Sequence, residues 1–493
     1  MTCGSRIGII GIVTLGAVCS AWGLEYYVAT NGAHQAPFTN WARASTNIKT
    51  AVDCANTNDA GDTVWVSNGV YVLQEEVAVS NTWVISWQTN RETTIVDGGN
   101  YAGRPTTNRC FYLNHSNAFL AGFTISNGST TGTGYGGGVK IDSGGGMVSN
   151  CVITRNYGNR GGGVNMPTGM LCASVISYNT ASSGNQGGGI YATGGQVLYS
   201  ACIRNCLVIS NSASYGAGMS LYHAMATQCV IVGNNGWTGN GLYLGYSSGI
   251  FNSQISSNTG GGSGNGIYVI NSARPGGTIV SQCVIEANTG PSCIYVRKVQ
   301  THCIVDHTTI RRNSGIGVNI MCNDTYLRNC LISGNGNGGI YIGTNIANGE
   351  VRSCTIASNT ANRGAGMWVD YSNSIGRVRN CIIYGNTLTN TFPGEEDIYV
   401  TVDYSTNMFA YCCASNYGAF APSAGNINSD PRFLSVTNGN YQLGSGSPCI
   451  DTGTNEAWMT NGLDLDGRSR IFHRRVDMGA YEYRFRGTIV SFH

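Results

Sequence analysis

Charged residues are scarce in this sequence. Asp, Glu, Lys and Arg make up 11% of the 493 residues, against about a quarter in an average soluble domain. The net charge is only +2, so no overall field attracts nucleic acid or an anionic membrane, and we expect no nucleic acid partner. After the first 23 residues no stretch approaches 18 uncharged apolar residues, so we expect no transmembrane segment in the mature chain, which should be a soluble monomer.

Motifs that signal catalysis or metal binding are also largely missing. The sequence has no paired-Asp hydrolase signature and no Gly-His-Gly motif. His302, Cys303 and His307 do not have a recognised zinc spacing. The usual signatures of glycoside hydrolases and zinc enzymes are therefore absent.

What the sequence has in abundance is a repeat. One phrase occurs ten times: a small or polar residue, usually Cys, is followed two positions later by an aliphatic residue and five positions later by Asn. The copies begin at Cys151, Ser174, Cys206, Cys229, Ser253, Cys283, Thr308, Cys330, Cys354 and Cys381. The starts are 22 to 32 residues apart, and a period of this size indicates a solenoid. The seven cysteines that begin copies are expected to form a buried, reduced column.

Two further short apolar phrases occur in each repeat. One follows glycines and alternates with period two, as in Gly187-Gly-Gly-Ile-Tyr-Ala192, and the other precedes each Cys. Three short strands per coil of roughly 25 residues predict an all-β fold, a right-handed parallel β-helix solenoid. The Asn of each copy falls at an equivalent turn, where stacked amides can donate to one neighbour and accept from the next.

The two ends of the chain depart from the repeat. Arg6, the apolar run from Ile7 to Val18 and Ala21-Trp-Gly23 predict a signal peptide over residues 1–23, and hence a secreted or cell-surface protein, with the periplasm as an alternative. Residues 24–72 should form an N-terminal cap and first coil, with a short amphipathic helix between Ser45 and Ala55. We assign residues 73–390 to the β-helix, 391–485 to a C-terminal cap and 486–493 to a tail.

Several of these motifs resemble known families. Residues 24–390 resemble the secreted right-handed β-helix (pectin-lyase-like) superfamily. Ser447 to Gly453 and Val476 to Tyr483 resemble the choice-of-anchor Q domain of bacterial surface proteins. The repeats are also similar to those of chlamydial polymorphic outer-membrane proteins, which are adhesins. The resemblance implies the fold and leaves the function open, because the superfamily includes lyases, hydrolases, esterases, epimerases and adhesins.

Alignment of the repeats produces two columns of outward side chains. The aromatic column contains Tyr191, Tyr243, Tyr268, Tyr295, Tyr341 and Trp368. We expect an exposed strip whose rings pack on sugars; the alternative is a ladder of strand-favouring tyrosines. The basic column, which follows Asp306, contains Arg328, Arg352 and Arg379. Its guanidinium groups suit the carboxylates or sulfates of a polysaccharide, and the alternative is a solvated polar edge.

One local cluster of ionisable groups is the candidate catalytic site. Asp306, His307, Arg311 and Arg328 supply a base and cations, which a polysaccharide lyase needs to remove the proton next to a uronate carboxylate. Asp464 and Asp466 precede Gly467 and are a candidate for a structural Ca²⁺, although an Asp-Gly turn is the plainer interpretation. No other feature requires a cofactor.

These observations leave three hypotheses. The first is a non-catalytic secreted or cell-surface protein of the adhesin type, which binds a polysaccharide or cell-surface glycan through the two columns. The second is a carbohydrate-active enzyme, a polysaccharide lyase or glycoside hydrolase, acting on an acidic polysaccharide. The third is a purely structural surface rod.

Overall fold

The computed structural model describes residues 23–484, except 58–60, 101–107, 131, 133, 196–197, 271–276, 298–301, 344–348, 371–376, 391–393, 402–407, 416–424 and 473. The predicted signal peptide, apart from residue 23, and the predicted tail lie outside these residues. The chain divides into two units: residues up to 254 with 258–260, and residues 255–257 with the chain from 261 onward. None of the helices in the described ranges has the length and apolarity that a membrane crossing needs.

The first unit consists of coils with three short parallel strands each, and the equivalent strands of successive coils pair into three sheets. Sheet 1 contains Glu25–Val28, Asp62–Val66, Thr82–Ser86, Phe119–Ala121, Met147–Ser149, Gly169–Cys172, Ala201–Arg204, Ala224–Thr227 and Gly249–Phe251. Sheet 2 contains Gly69–Val72, Thr94–Asp97, Thr124–Ser126, Val152–Thr154, Val175–Ser177, Leu207–Ile209 and Val230–Val232. Sheet 3 contains Val77–Val79, Phe111–Leu113, Val139–Ile141, Val164–Met166, Ile190–Ala192, Met219–Tyr222 and Leu242–Gly245. A smaller parallel sheet contains Tyr157–Gly158, Thr180–Ala181, Ser212–Tyr215, Asn235–Thr238 and Thr259–Gly260.

The second unit repeats this arrangement. Its sheet 1 contains Thr278–Ser281, Cys303–Asp306, Thr325–Arg328, Glu350–Arg352, Arg377–Arg379 and Phe409–Ala410. Its sheet 2 contains Val284–Glu286, Thr309–Arg311, Leu331–Ser333, Thr355–Ala357, Ile382–Tyr384 and Cys413–Ala414. Its sheet 3 contains Ile267–Ile270, Ser292–Arg297, Ile316–Met321, Ile340–Ile342, Met367–Val369 and Ile398–Val400. The parallel solenoid with three strands per coil is therefore confirmed.

The core of each coil is formed by the inward residues of its three strands. Val148, Ile153 and Val164 belong to one coil of the first unit, and all three are fully buried. Burial of such aliphatic side chains stabilises each coil by about 2 kcal/mol per residue. The predicted amphipathic helix is present at Ile48–Ala55, where Ile48, Ala51, Val52 and Ala55 are its buried residues. Its capping role stays a prediction.

The repeated asparagines form a ladder within each unit. In the second unit it contains Asn288, Asn313, Asn335, Asn359 and Asn386. The backbone N–H and the Nδ2 of each donate to Oδ1 of the next at 2.9–3.2 Å. The prediction that stacked amides satisfy one another is thus confirmed.

The ladder of the second unit ends on a carboxylate. Asn386 donates from its backbone N–H and its Nδ2 to Oδ1 of Asp397, at 3.0 and 2.8 Å. The other oxygen of Asp397 accepts from the backbone N–H of Ser415 at 2.9 Å. The paired strands continue to Ala414, so this coil extends beyond the predicted boundary at residue 390. The Ile-x-x-Asn phrase does not reveal this coil, because the acceptor for Asn386 is Asp397, which lies only eleven residues further along the chain and is not part of a copy of the phrase.

The seven cysteines that begin copies of the repeat are buried and form no disulfide bond, in agreement with the expected reduced column. Burial raises the pKa of the Cys151 thiol to about 12. A thiol with so high a pKa is almost entirely protonated at neutral pH and is a poor nucleophile. We therefore assign this column to packing.

The C-terminal segment of the second unit lies along the outer face of sheet 2. It contains the antiparallel pair Phe433–Ser435 and Asn440–Leu443 and the 3-10 helices Val436–Asn438 and Ala457–Asn461. Tyr441 packs with Leu331 and Ala357 of sheet 2. Further along, Leu443, Cys449 and Met478 pack with Ile382 and Cys413. The segment thus buries outward side chains of the coils, and the predicted capping of an open end stays a prediction.

Candidate functional site

The basic column has the predicted alignment, and much of it is used inside the protein. Asp306, Arg328, Arg352 and Arg379 pair in register on consecutive strands of sheet 1. Arg328 Nε lies 3.1 Å from Asp306 Oδ1. Arg352 forms ion pairs with Glu350, at 2.6 Å, and with Glu456 of the C-terminal segment. Two of the three guanidinium groups are therefore already neutralised by carboxylates.

The C-terminal segment supplies further contacts to this column. The Arg328 guanidinium lies 5.8 Å from the ring centre of Trp458. Asn380, which follows Arg379, donates from Nδ2 to the carbonyl of Thr454 and accepts from the Thr454 N–H, at 2.9 and 2.8 Å. Within the part of the chain that the structure describes, Arg379 has no ion-pair partner. The column is thus mainly a docking surface for the protein's own C-terminal segment.

Three of the four candidate catalytic residues line a cavity of about 700 Å³ between the coils and this segment. The structure brings Asp306, His307 and Arg328 together there. It does not bring Arg311 into the cavity lining, because Arg311 Nε contacts Glu286 Oε2 at 2.8 Å. His307 has a left-handed backbone with φ of 46°. The aligned repeats place it at the turn that contains Asn329 in the next coil.

Both ring nitrogens of His307 are engaged. Nδ1 lies 3.0 Å from Asp306 Oδ1, and Nε2 lies 2.8 Å from the carbonyl oxygen of Leu463. The approaches of His307 and Arg328 to Asp306 Oδ1 are ion pairs without hydrogen-bond alignment. A general base needs a free nitrogen within reach of its substrate. The geometry is that of a latch between the coils and the C-terminal segment.

The electrostatics of the pair favour its charged form. Burial alone would lower the pKa of His307, but Asp306 and the Leu463 carbonyl raise it above its usual value. Burial alone would raise the pKa of Asp306, but His307 and Arg328 lower it below its usual value. Nε2 faces a carbonyl oxygen and therefore acts as a donor, and Nδ1 faces Asp306, so this geometry leaves no ring nitrogen of His307 to take a proton from a substrate.

We expect His307→Ala to loosen the C-terminal segment by about 1–2 kcal/mol, because the replacement leaves the Leu463 carbonyl without its donor. The pKa of His307 is raised on folding, so the part of this stabilisation that depends on the positive charge of His307 is fully present below the unfolded pKa near 6.5. That part is lost as the pH rises through the higher folded pKa. Limited proteolysis between pH 6 and 9 measures this, and wild type should become more susceptible while the variant changes less. Equal susceptibility of both proteins at pH 6 would contradict the latch.

The proposed calcium ligands are occupied by the protein itself. Oδ1 of Asp464 accepts from the backbone N–H groups of Asp466 and Arg468 at 3.0 and 2.7 Å, and Oδ2 accepts from that of Glu482 at 2.8 Å. Asp466 instead faces Gln442 and Arg468. Among the described residues, no group of three or more His, Cys, Asp or Glu side chains is placed to hold a metal. The geometry around Asp464 is that of an Asp-Gly turn.

The aromatic column is aligned as predicted but is less exposed than expected. Its members pair in register on sheet 3 within each unit. Tyr191, Tyr243 and Tyr268 are only 8%, 9% and 7% exposed, so the expectation of a continuous exposed strip is wrong. In the first unit Tyr222 inserts between two of them, with ring centres 5.9 Å from Tyr191 and 6.0 Å from Tyr243. In the second unit Tyr268 stacks on Tyr295 with centres 5.3 Å apart.

Further along sheet 3 of the second unit, Tyr341 and Trp368 are only half-buried and line a groove of about 220 Å³. Their rings meet edge to face, with centres 5.4 Å apart and planes at 83°. Tyr399 continues the row at 5.8 Å from Trp368. The polar residues that line the groove are Asn319, Asn337, Asn362 and Arg363. We call this the Trp368 groove.

Two residues that line the Trp368 groove each carry a buried polar atom without a hydrogen-bond partner. These atoms are the indole Nε1 of Trp368, which is a donor, and Oδ1 of Asn319, which is an acceptor. Leaving such an atom unpaired costs about 1–3 kcal/mol, and an orphan of this kind calls for an explanation such as a ligand. Asn319 occupies the same column of the aligned repeats as Tyr341, but its amide side chain carries no aromatic signal that would reveal it from the sequence.

The coils of the second unit are similar to a known family. Residues 265–431 match the family model described as "Right handed beta helix region". These coils form a right-handed β-helix. We use the name β-helix for both units, since they share the repeat. A comparison with curated proteins found no match.

Two solved structures are similar to this chain at low sequence identity. Pectate lyase Pel9A is 14% identical, with 93% of this chain and 96% of that chain covered and a TM-score of 0.37. The A-module of mannuronan C-5 epimerase AlgE6 from Azotobacter vinelandii is 13% identical, with 78% and 89% covered and a TM-score of 0.34. Likeness at this level concerns the fold alone, so function has to be argued from the residues of the site.

Proposed function

We propose that this protein is a secreted or cell-surface β-helix protein of the adhesin type, and that it binds a glycan in the Trp368 groove without cleaving it. The observation that carries the proposal is the pairing of half-buried aromatic rings with two unsatisfied polar atoms in one groove. Extracellular location rests on the predicted signal peptide. The groove narrows the binding surface from two whole columns to one short stretch of sheet 3.

The rings supply the apolar part of such a site. Tyr341 and Trp368 present ring faces and edges beside a row of Asn side chains, and a sugar offers both C–H faces and hydroxyl groups. Binding sites of this size combine apolar walls with a few placed polar groups. The third aromatic ring, Tyr399, lies beside Trp368 and extends the row by one coil. The groove therefore offers successive contacts along an extended chain.

The alternative hypothesis is a lyase at Asp306 and His307, and it lacks a supporting observation of this kind. His307 has no free nitrogen, Arg328 is paired with Asp306, and Arg311 faces Glu286. A lyase needs a free base and unpaired cations for the substrate carboxylate. We therefore prefer the glycan-binding hypothesis to the lyase hypothesis.

Trp368→Ala should weaken glycan binding by about 30-fold or more, because truncation of a central aromatic contact typically costs 2 kcal/mol or more. A glycan array probed with the purified protein identifies the ligand, and the dissociation constants of wild type and variant then measure the loss. Trp237→Ala is the matched control, since Trp237 is 62% exposed and lies in the first unit. Unchanged binding by Trp368→Ala, or a loss in the control instead, would contradict the proposal.

A separate assay distinguishes binding from turnover. Uronate-containing polysaccharides incubated with the protein are followed by the absorbance of unsaturated products. Turnover that disappears in His307→Ala would replace the binding proposal with the lyase.

A further inference from the structure

We infer that the Trp368 groove selects neutral, hydroxyl-bearing sugar residues and rejects uronates, an inference that rests on the proposed function. The preference would distinguish this β-helix from one built to bind acidic polysaccharides. Two independent features of the groove lead to this inference: the state of its charged groups, and the donor and acceptor character of its unpaired atoms.

Among the described residues, Arg363 is the one cation that lines the groove, and its charge is already compensated. Arg363 Nε lies 3.3 Å from Glu395 Oε2, and its Nη1 donates to the Tyr399 hydroxyl at 2.9 Å. Its guanidinium also lies 4.9 Å from the centre of the Tyr399 ring. Recognition of a carboxylate normally uses a guanidinium fork directed at the ligand. This fork is directed at the protein.

A second carboxylate makes the surroundings of the groove acidic. The Tyr341 hydroxyl donates to Asp370 Oδ2 at 2.7 Å, and Thr401 Oγ1 lies 3.3 Å from Asp370 Oδ1. Burial and the hydrogen bond to Asp370 raise the pKa of Tyr341, so this hydroxyl stays protonated and engaged. Glu395 and Asp370 against Arg363 leave an excess of negative charge beside the aromatic rings. A uronate carboxylate placed there is repelled.

The unpaired atoms require a ligand that both donates and accepts. Trp368 Nε1 can only donate, and Asn319 Oδ1 accepts. Asn319 and Trp368 lie in the same column, separated by the coil that contains Tyr341, so they are about 10 Å apart along the β-helix axis at the backbone. A sugar hydroxyl satisfies either atom. The C6 carboxylate of a uronate can satisfy only the indole N–H, because it has no hydrogen to offer Asn319 Oδ1, so a uronate has one group fewer than its neutral sugar for this atom.

The experiment compares matched oligosaccharides that differ only at C6. Hexasaccharides of glucose, mannose and galactose are titrated calorimetrically into the full-length protein beside the hexasaccharides of glucuronate, mannuronate and galacturonate. For any backbone that binds, we expect the neutral member to bind about tenfold or more tighter than its uronate. We also expect the affinity of the neutral sugar to be insensitive to salt between about 50 and 500 mM.

Two variants test the polar atoms. Asn319→Leu removes the acceptor and should weaken neutral-sugar binding by roughly 5- to 10-fold. Asn319→Asp places a further negative charge in the groove, so it should weaken uronate binding more than neutral-sugar binding. Circular dichroism and the urea midpoint confirm that each variant is folded. Unchanged neutral-sugar binding in Asn319→Leu, or a loss of uronate binding in Asn319→Asp no larger than the loss of neutral-sugar binding, would refute the assigned role of this oxygen.

The outcomes separate this inference from the proposed function. A uronate that binds as tightly as its neutral partner, with affinity that falls as salt is added, would overturn the neutral preference while glycan binding stands. Tight binding that Trp368→Ala does not weaken would overturn the proposed function itself. Absence of binding across the matched set and the glycan array would overturn both.

Discussion

Asn335→Ala is expected to lower the free energy of unfolding of the second unit by about 3–5 kcal/mol. The side chain accepts from the backbone N–H and the Nδ2 of Asn313, at 3.2 and 2.9 Å. It also donates to the Ile310 carbonyl and to Asn359 Oδ1, at 3.2 and 2.9 Å. Alanine leaves several of these buried groups unpaired, and each costs about 1–3 kcal/mol. Equilibrium unfolding in urea measures the effect.

The matched control is Asn337→Ala, two residues further on. Asn337 is exposed, so its replacement should change stability by less than about 0.5 kcal/mol. Asn335→Asp sharpens the test, because a carboxylate placed inside the ladder would face Asn359 Oδ1 with no hydrogen between the oxygens. A carboxylate is tolerated at position 397 because Asn386 donates to it and no further asparagine follows in the ladder. If Asn335→Ala were as stable as Asn337→Ala, the ladder would not be a main source of stability.

Arg470→Met should destabilise the C-terminal segment by about 3 kcal/mol. Arg470 is completely buried; its Nε lies 3.2 Å from Glu482 Oε1, and its Nη1 and Nη2 donate to the carbonyls of Gly479 and Asp477. Burial raises the pKa of Glu482 to about 8 even beside this guanidinium. Removing Arg470 raises the pKa of Glu482 further and leaves the two carbonyls without donors. Protease resistance of the segment and the urea midpoint report the loss.

The control for this variant is Arg468→Met. Arg468 is partly exposed and lies 3.7 Å from Asp466, and an ion pair of this kind contributes about 0–1 kcal/mol. The double variant Arg470→Met with Glu482→Leu should recover part of the loss, because a buried ion pair replaced as a whole costs less than one broken pair. Equal effects of Arg468→Met and Arg470→Met would show that burial of the guanidinium is not what holds the segment.

The sequence predicted the features that repeat. Alignment of the copies placed Asn335 in the ladder, Arg352 in the basic column and Trp368 in the aromatic column, and all three positions are confirmed. The period-two alternation and the recurring motif are enough for this, because each coil presents equivalent residues at the same place although its length varies. The helix Ile48–Ala55 followed from its apolar spacing in the same way.

Features that depend on single long-range contacts could not be predicted. Arg352 contacts Glu456, which lies 104 residues further along the chain and outside the repeats, so no alignment of the copies indicates that the two residues meet. Tyr191 is covered by Tyr222, a strand-end residue whose ring orientation the pattern does not determine. Trp368 and Tyr191 occupy equivalent positions of the repeat, so the sequence groups them together although their surroundings differ. The functional groove was therefore contained in the predicted column, but its place along the column came from packing.

The central claim is that a glycan binds in the Trp368 groove. The most direct measurement is a crystal structure of the protein soaked with the tightest glycan from the array. We expect a sugar ring packed on the Trp368 ring, with one hydroxyl at hydrogen-bond distance from Trp368 Nε1 and another from Asn319 Oδ1. A sugar bound at Asp306 and His307, with His307 released from Leu463, would contradict the claim.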